Sequence, residues 1–376
     1  MSGASSPTLW RSEPGKEAMT TEYVVLNEAS PDADVIKRAG RIIKDGGLVA
    51  FPTETVYGLG GDALNPDSSR RIYAAKGRPS DNPLIVHICR FEDMEPIVCE
   101  IPPEAEKLAK AFWPGPLTMI LRKSELVPKE TTGGLDTVAI RFPNNRIAQE
   151  LIRASGGFIA APSANRSGRP SPTLAKYCLE DLDGRVEMII DGGQVGIGLE
   201  STIVDLTEEK PVILRPGFIN QRMLEEVLGS VDVDRTLITP DSGIAPKAPG
   251  MKYRHYAPKG ELVILEGERG KVVESINKAA AYNRAHGIRT GVICTDETRE
   301  SYRADCVKST GSRGDEASAA RELFRILREF DDEDVGRIYS EEFGGKDLGQ
   351  AIMNRLMKAA GHKVVHLDEG ETLHFN

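Results

Sequence analysis

The chain has 376 residues, 40% apolar and 28% charged, an ordinary globular make-up too long for one comfortable core, so two folded units are expected. Against 57 Asp+Glu stand 48 Lys+Arg, and the net charge of -9 excludes a broad, sequence-independent grip on a nucleic acid backbone, leaving room only for a local basic patch. Five cysteines, Cys89, Cys99, Cys178, Cys294 and Cys306, are odd in number and lack the paired short spacings of a zinc site or disulfide framework, so they are expected to be reduced and chemically idle.

Residues 1–20 are small and polar, without the apolar stretch of a signal peptide, and are expected to form a disordered tail. No uncharged apolar run approaches the ~20 residues of a membrane-spanning helix, which points to a cytoplasmic protein with no membrane partner. Helical patterns then appear at Asp32 to Asp45, Ser68 to Ala75, Pro103 to Phe112, Ile147 to Ser155 and Gln221 to Leu228. Between them, residues 47–51, 84–88, 117–122, 137–142, 186–191, 202–206 and 211–215 read as strands. Residues 21–230 are thus expected to form a mixed α/β domain.

Residues 231–260 differ, because Pro240, Gly243, Pro246, Pro249, Gly250 and Pro258 interrupt any regular element. They read as a linker. Beyond it, residues 261–267 and 289–296 are strands, Val272 to His286 is a helix, two further helices lie around 317–330 and 347–360, and a last strand spans 363–367. The expectation for 261–376 is a small parallel α/β domain without a phosphate-loop signature.

The chemistry concentrates in loops next to strands. From Phe51 the chain reads FPTETVYGLGGDALN, then IYAAKGRPSDNPLIVHI up to Ile88, placing hydroxyls, two cations, an Asn and a His at strand ends, where ligands of open α/β sheets collect. That suggests a nucleotide site, although Thr53, Glu54 and Thr55 alone would be ordinary turn formers. Lys76 and Arg78, two apart in a loop taken as extended, would share one face and bracket a triphosphate. Arg141 closes the strand TVAIR and offers the fork that a carboxylate prefers. Residues 252–256 interleave aromatics with bases and suggest a nucleotide lid or a small nucleic-acid patch.

Eight segments in order, FPTETVYGLG (51–60), KGRPSDNPL (76–84), WPGPLT (113–118), VAIRFP (138–143), APSANRSGRPSPT (161–173), LESTIVD (199–205), LRPG (214–217) and PGMKYRHYAP (249–258), resemble the threonylcarbamoyl-AMP synthases of the YrdC-like family. The last segment marks the long form of that family. The resemblance implies a mixed twisted-sheet YrdC-like domain, a linker acting as a lid, and a Rossmann-like accessory domain. It also implies the reaction: L-threonine, bicarbonate and ATP give threonylcarbamoyl-AMP and pyrophosphate, with Mg2+ assisting on the triphosphate. The product would serve a downstream tRNA threonylcarbamoyltransferase complex, with tRNA itself only an indirect partner.

Carried over residue by residue, the resemblance makes Lys76 and Arg78 catalytic cations. Arg78, Asn82, Thr137, Ser163, Ser171, Arg215 and Tyr256 become ATP contacts. Thr55, His87, Arg141, Ala161 and Ser201 become threonine contacts, and no metal ligands are expected. Such a site should hold two anions together with cations and hydroxyls rather than with a nucleophilic triad. The alternatives are an RNA-binding, translation-associated module and a carbamoyltransferase of hydrogenase maturation, the second weakened by the missing zinc-finger cysteines.

Overall fold

The structure, a computed structural model, describes residues 19–234, 255–344 and 347–373. Most of the expected tail and most of the expected linker, Tyr253 included, lie outside them.

In chain order the first half runs β1 (Glu22–Val25), α1 (Ala33–Lys44), β2 (Val49–Phe51), β3 (Gly58–Asp62), α2 (Pro66–Lys76), β4 (Ile85–His87), α3 (Pro103–Phe112), β5 (Leu117–Arg122), β6 (Thr137–Arg141), α4 (Arg146–Ala154), β7 (Ile159–Ala160), α5 (Ala175–Leu182), β8 (Met188–Asp191), β9 (Thr202–Asp205), β10 (Val212–Arg215), α6 (Gln221–Leu228) and β11 (Asp232–Val233). Its strands form one mixed sheet in the order β1-β8-β2-β3-β7-β4-β6-β5-β9-β10-β11. The second half runs β12 (Glu261–Glu266), α7 (Arg269–Ala285), β13 (Thr290–Cys294), β14 (Cys306–Ser309), α8 (Glu316–Asp332), β15 (Arg337–Glu341), α9 (Leu348–Ala359) and β16 (Val364–His366). Here every pairing is parallel, in the order β14-β13-β15-β12-β16.

Strand alternation divides the first half's core. Leu48 and Ala50 point into a cluster with Ile72, Leu108, Cys178 and Leu224 from α2, α3, α5 and α6, while Val49 and Phe51 point the other way, against Ile43 of α1 and Leu151 of α4. Both faces are therefore covered, which keeps ligands to the ends of the strands.

Local signals explain the helix that matters most for the site. Asn65 accepts from the Asp67 amide at 2.9 Å, Pro66 pre-sets the first turn, and Gly77 ends α2 in the left-handed region at φ 61°. Lys76 is thus the last helical residue and Arg78 lies beyond the turn. The extended-loop geometry expected for this pair is corrected: the helix persists through Lys76 because its side chain is buried.

The two halves share an interior. Val56 and Leu199 of the first half belong to the same apolar cluster as Leu262, Phe324, Leu327 and Ile352 of the second. Gly198 sits at the join with φ +85°, and a Cβ there would lie 2.4 Å from the Arg321 Cα of α8. Only a residue without a side chain permits that approach.

Candidate active site

The central strands deliver their polar residues to one end of the sheet. His87 ends β4 and pairs in register with Arg141 at the end of β6, which in turn faces Thr118 at the start of β5. Next to them stand Ser201, just before β9, and Arg215, at the end of β10. The cleft over this edge holds about 680 Å³ of free space, open solvent included, and its walls bring in Lys76, Arg78, Ala161, Ser163, Tyr256 and both Thr53 and Tyr57.

On one side the cations are already engaged. Lys76 is 2% exposed and donates to the carbonyls of Ser163 and Asn165, so it tethers α2 to the loop 163–168. Burial first, and then the Arg78 cation, pull its ammonium well below the usual lysine range. Arg78 donates to the Asn82 carbonyl at 3.2 Å and to the Pro83 carbonyl at 3.1 Å, which folds residues 78–83 into a tight turn. Neither lies in the extended loop that the sequence suggested. Asn82 is 1% exposed, its side-chain oxygen has no hydrogen-bond partner among the described residues, and it is not one of the residues that line the cleft.

On the other side Arg141 faces a carboxylate of the chain itself. Its Nη2 lies 2.8 Å from Glu54 Oε2, with the Arg141 side chain buried and that of Glu54 13% exposed, yet the contact is too poorly aligned to make a hydrogen bond. Thr118 and Ser201 share a hydroxyl contact of 2.7 Å, and Arg215 donates to the Ser201 carbonyl at 3.0 Å and to its hydroxyl at 3.2 Å. Burial draws Arg215 down to about 10, so it remains a cation at neutral pH.

Several expected contacts stand off the cleft wall. Thr137 opens β6 and pairs with Arg122, four residues and about 13 Å along the strand from Arg141. The strand threonine beside Arg141 is Thr118, the last residue of the WPGPLT segment. Thr55 is fully buried with its hydroxyl 2.9 Å from that of Thr53, which itself reaches the cleft. Ser171 is buried and donates to Glu200 at 2.6 Å. Glu200 was not singled out from the sequence although it lies inside LESTIVD, Glu54 was read only as a turn former, and His255 only as part of the 252–256 cluster. A carboxylate among small residues at a strand end is the signal that Glu54 and Glu200 leave.

Burial and the neighbouring Arg141 push His87 down to about 3, and burial with Arg78 does the same to His255. Both imidazoles are therefore neutral in the folded chain. Unfolded histidine titrates near 6.5, so between about pH 3 and 6.5 the unfolded chain binds more protons and stability falls as the pH is lowered through that window. At pH 5 each histidine costs about 2 kcal/mol relative to pH 7. The His87→Gln chain should accordingly lose less Tm between pH 7 and pH 5 than the unsubstituted chain, and parallel curves would count against a buried neutral imidazole.

Among the described residues, no group of three or more His, Cys, Asp and Glu is placed to hold a metal ion, and no helix is long and apolar enough to cross a membrane. The carboxylates nearest the cleft, Glu54 and Glu200, each face an arginine, so the residues present do not fit a metal held by the protein.

Comparison with known proteins matches this architecture over nearly its full length. A family model described as "Telomere recombination" covers residues 41–217, and one described as "Threonylcarbamoyl-AMP synthase, C-terminal domain" covers residues 219–361. A threonylcarbamoyl-AMP synthase of Pyrococcus abyssi is 51% identical over 88% of this chain and 95% of its own length, and one of Bacillus subtilis is 47% identical over 91% and 97%. The crystal structure of Pyrococcus abyssi Sua5 complexed with L-threonine superposes with a TM-score of 0.87 at 48% identity, covering 92% of this chain and 99% of that one. With both halves matched in order and at such identity, the chain belongs to the threonylcarbamoyl-AMP synthase family.

Proposed function

We propose that this chain joins L-threonine, bicarbonate and ATP into threonylcarbamoyl-AMP and pyrophosphate, in the cleft at the sheet edge. The observation that carries the reading is the division of that cleft into two anion-binding ends. Lys76 and Arg78 line one, Arg141 with His87 lines the other, and Arg215 and Ser201, hydrogen-bonded to each other, complete the wall. In the first step the threonine amine takes up carbon dioxide, bicarbonate having lost hydroxide as water, and becomes a carbamate. A carbamate oxygen then attacks the α-phosphorus, the bond to the bridging oxygen breaks, and pyrophosphate leaves with the electron pair.

No side-chain nucleophile enters these steps, so the residues act by position and charge. Arg141 takes the threonine carboxylate, exchanging it for Glu54, and the neutral His87 beside it adds no second cation. The buried cations at the other end offset charge that gathers on the phosphates as pyrophosphate departs, in a setting where water screens little. Mg2+ enters with the triphosphate as part of the substrate, held by phosphate oxygens and water. The mixed anhydride is then consumed by a transferase complex that moves the threonylcarbamoyl group to tRNA.

Incubation with ATP, bicarbonate and labelled threonine tests the reading directly. Labelled mixed anhydride and pyrophosphate should appear together in equal amounts, and both should vanish when any substrate is left out. A folded chain that returns only free threonine, yet retains double-stranded RNA on a column, would favour the RNA-binding alternative instead.

A further inference from the structure

We propose that Arg355, on α9 of the second half, is a positioning residue for the nucleotide end of the cleft and acts through Glu200. The inference rests on the functional reading above and extends it to the half of the chain that carries none of the substrate contacts proposed there.

Arg355 is completely buried, and its guanidinium reaches two separate segments of the first half. Nε donates to the Glu200 carboxylate at 3.1 Å, Nη2 to the Glu200 carbonyl at 3.3 Å, and Nη1 to the Pro216 carbonyl at 2.6 Å. The other Glu200 oxygen takes the Ser171 hydroxyl at 2.6 Å. One planar side chain from α9 therefore fixes, in a single hydrogen-bonded unit, the segments that present Ser171, Ser201 and Arg215. Two of these are the segments on which the phosphate-side hydroxyls and cation depend.

The energetics argue that this pair is not there for stability. Enclosing a carboxylate and a guanidinium away from water costs each its hydration, and well-packed apolar residues in their place commonly stabilise a fold as well or better. What the ion pair supplies instead is direction. A guanidinium donates along fixed, coplanar axes, so three acceptors on two segments are held at set angles, which neither an ammonium nor a methyl group can do. Burial opposes the charge on Glu200, but Arg355 and then Arg215 outweigh it and hold the carboxyl below its ordinary range. The neighbouring α8 carries a second buried arginine, Arg328, which binds Asp181 and the Pro170 carbonyl and so holds the segment next to Ser171.

The test uses the full-length chain and separate calorimetric titrations with α,β-methylene-ATP and with L-threonine. In Arg355→Met the nucleotide analogue should bind about 10- to 30-fold more weakly, while threonine, which meets the same unit only through Ser201, weakens by no more than about threefold. Arg355→Lys should recover only a small part of the loss, because it returns the charge without the fork. In Glu200→Gln the same nucleotide-selective weakening is expected, and the double variant Arg355→Met with Glu200→Gln should be no worse than the weaker single one, since both act through one unit. A general loosening of the fold would instead lower Tm and reduce both affinities by similar factors, and that result overturns the proposal. So does undiminished binding of the analogue in Arg355→Met. An unsubstituted chain that binds neither probe would overturn the functional reading and this inference with it, whereas one that binds both normally confines any failure to Arg355.

Discussion

Replacing Lys76 with methionine should lower pyrophosphate release by about 10²- to 10³-fold, the loss typical when one preorganised donor to developing charge is removed. Methionine keeps much of the apolar stem and its packing, so the chain is expected to fold. It will be less stable, because the carbonyls of Ser163 and Asn165 lose the ammonium that joins them to α2, at about 1–3 kcal/mol for buried groups left unpaired. Turnover should therefore fall far more than stability does. Arg78→Gln should show the same imbalance, since Arg78 shapes the turn 78–83 through the Asn82 and Pro83 carbonyls. Pyrophosphate release within about threefold of the unsubstituted chain, in a Lys76→Met protein that melts cooperatively, would remove Lys76 from the mechanism.

The second large effect concerns the opposite end of the cleft. Arg141→Lys should raise the KM for threonine by about 30- to 300-fold, equivalent to about 2–3 kcal/mol, with the KM for ATP changed by less than about threefold. The ammonium can still neutralise Glu54, but it cannot present two parallel donors to an incoming carboxylate. Equal rises in both KM values would mean that Arg141 supports the cleft as a whole and does not read the threonine carboxylate.

Much of the architecture was legible because its signals are local. Asp32, Asn145 and Asn220 cap helices by accepting amide hydrogens one turn on, and each stands where the apolar period begins. The elements that escaped are those whose burial is decided elsewhere. β15 ends in Ser340 and Glu341, a polar pair no strand pattern favours, and Glu341 is tolerated inside because Thr298, Tyr302 and Arg313 all donate to it. Helix α5 was missed for a similar reason: its Asp181 is buried against Arg328, a residue 147 positions away.

The site followed the same rule. Arg141 and Arg215 were read from their strand ends, whereas His87 and Ser201 were named through the family resemblance, because a histidine in an apolar strand is by itself more often a core residue. The choice between Thr118 and Thr137 depends instead on the antiparallel register of β5 and β6, which places one beside Arg141 and the other at the far end. Arg355 left a fainter mark. It interrupts an otherwise apolar stripe of Ala351, Ile352, Leu356 and Ala359 on α9, the pattern of a charge that must find a partner inside.

The shared interior around Val56 and Leu199 gives the boundary between the halves an unusual character. In covalent terms the chain changes from one sheet to another between β11 and β12, but in terms of cohesion there is no matching seam. Val56 follows directly on the segment bearing Thr53, Glu54 and Thr55, and Leu199 directly precedes Glu200 and Ser201. The residues that glue the halves together are thus chain neighbours of those that line the cleft. The second half cannot be exchanged like a cartridge for an unrelated domain of similar size, because whatever replaced it would have to rebuild the rear surface of the catalytic loops as well as fill the space.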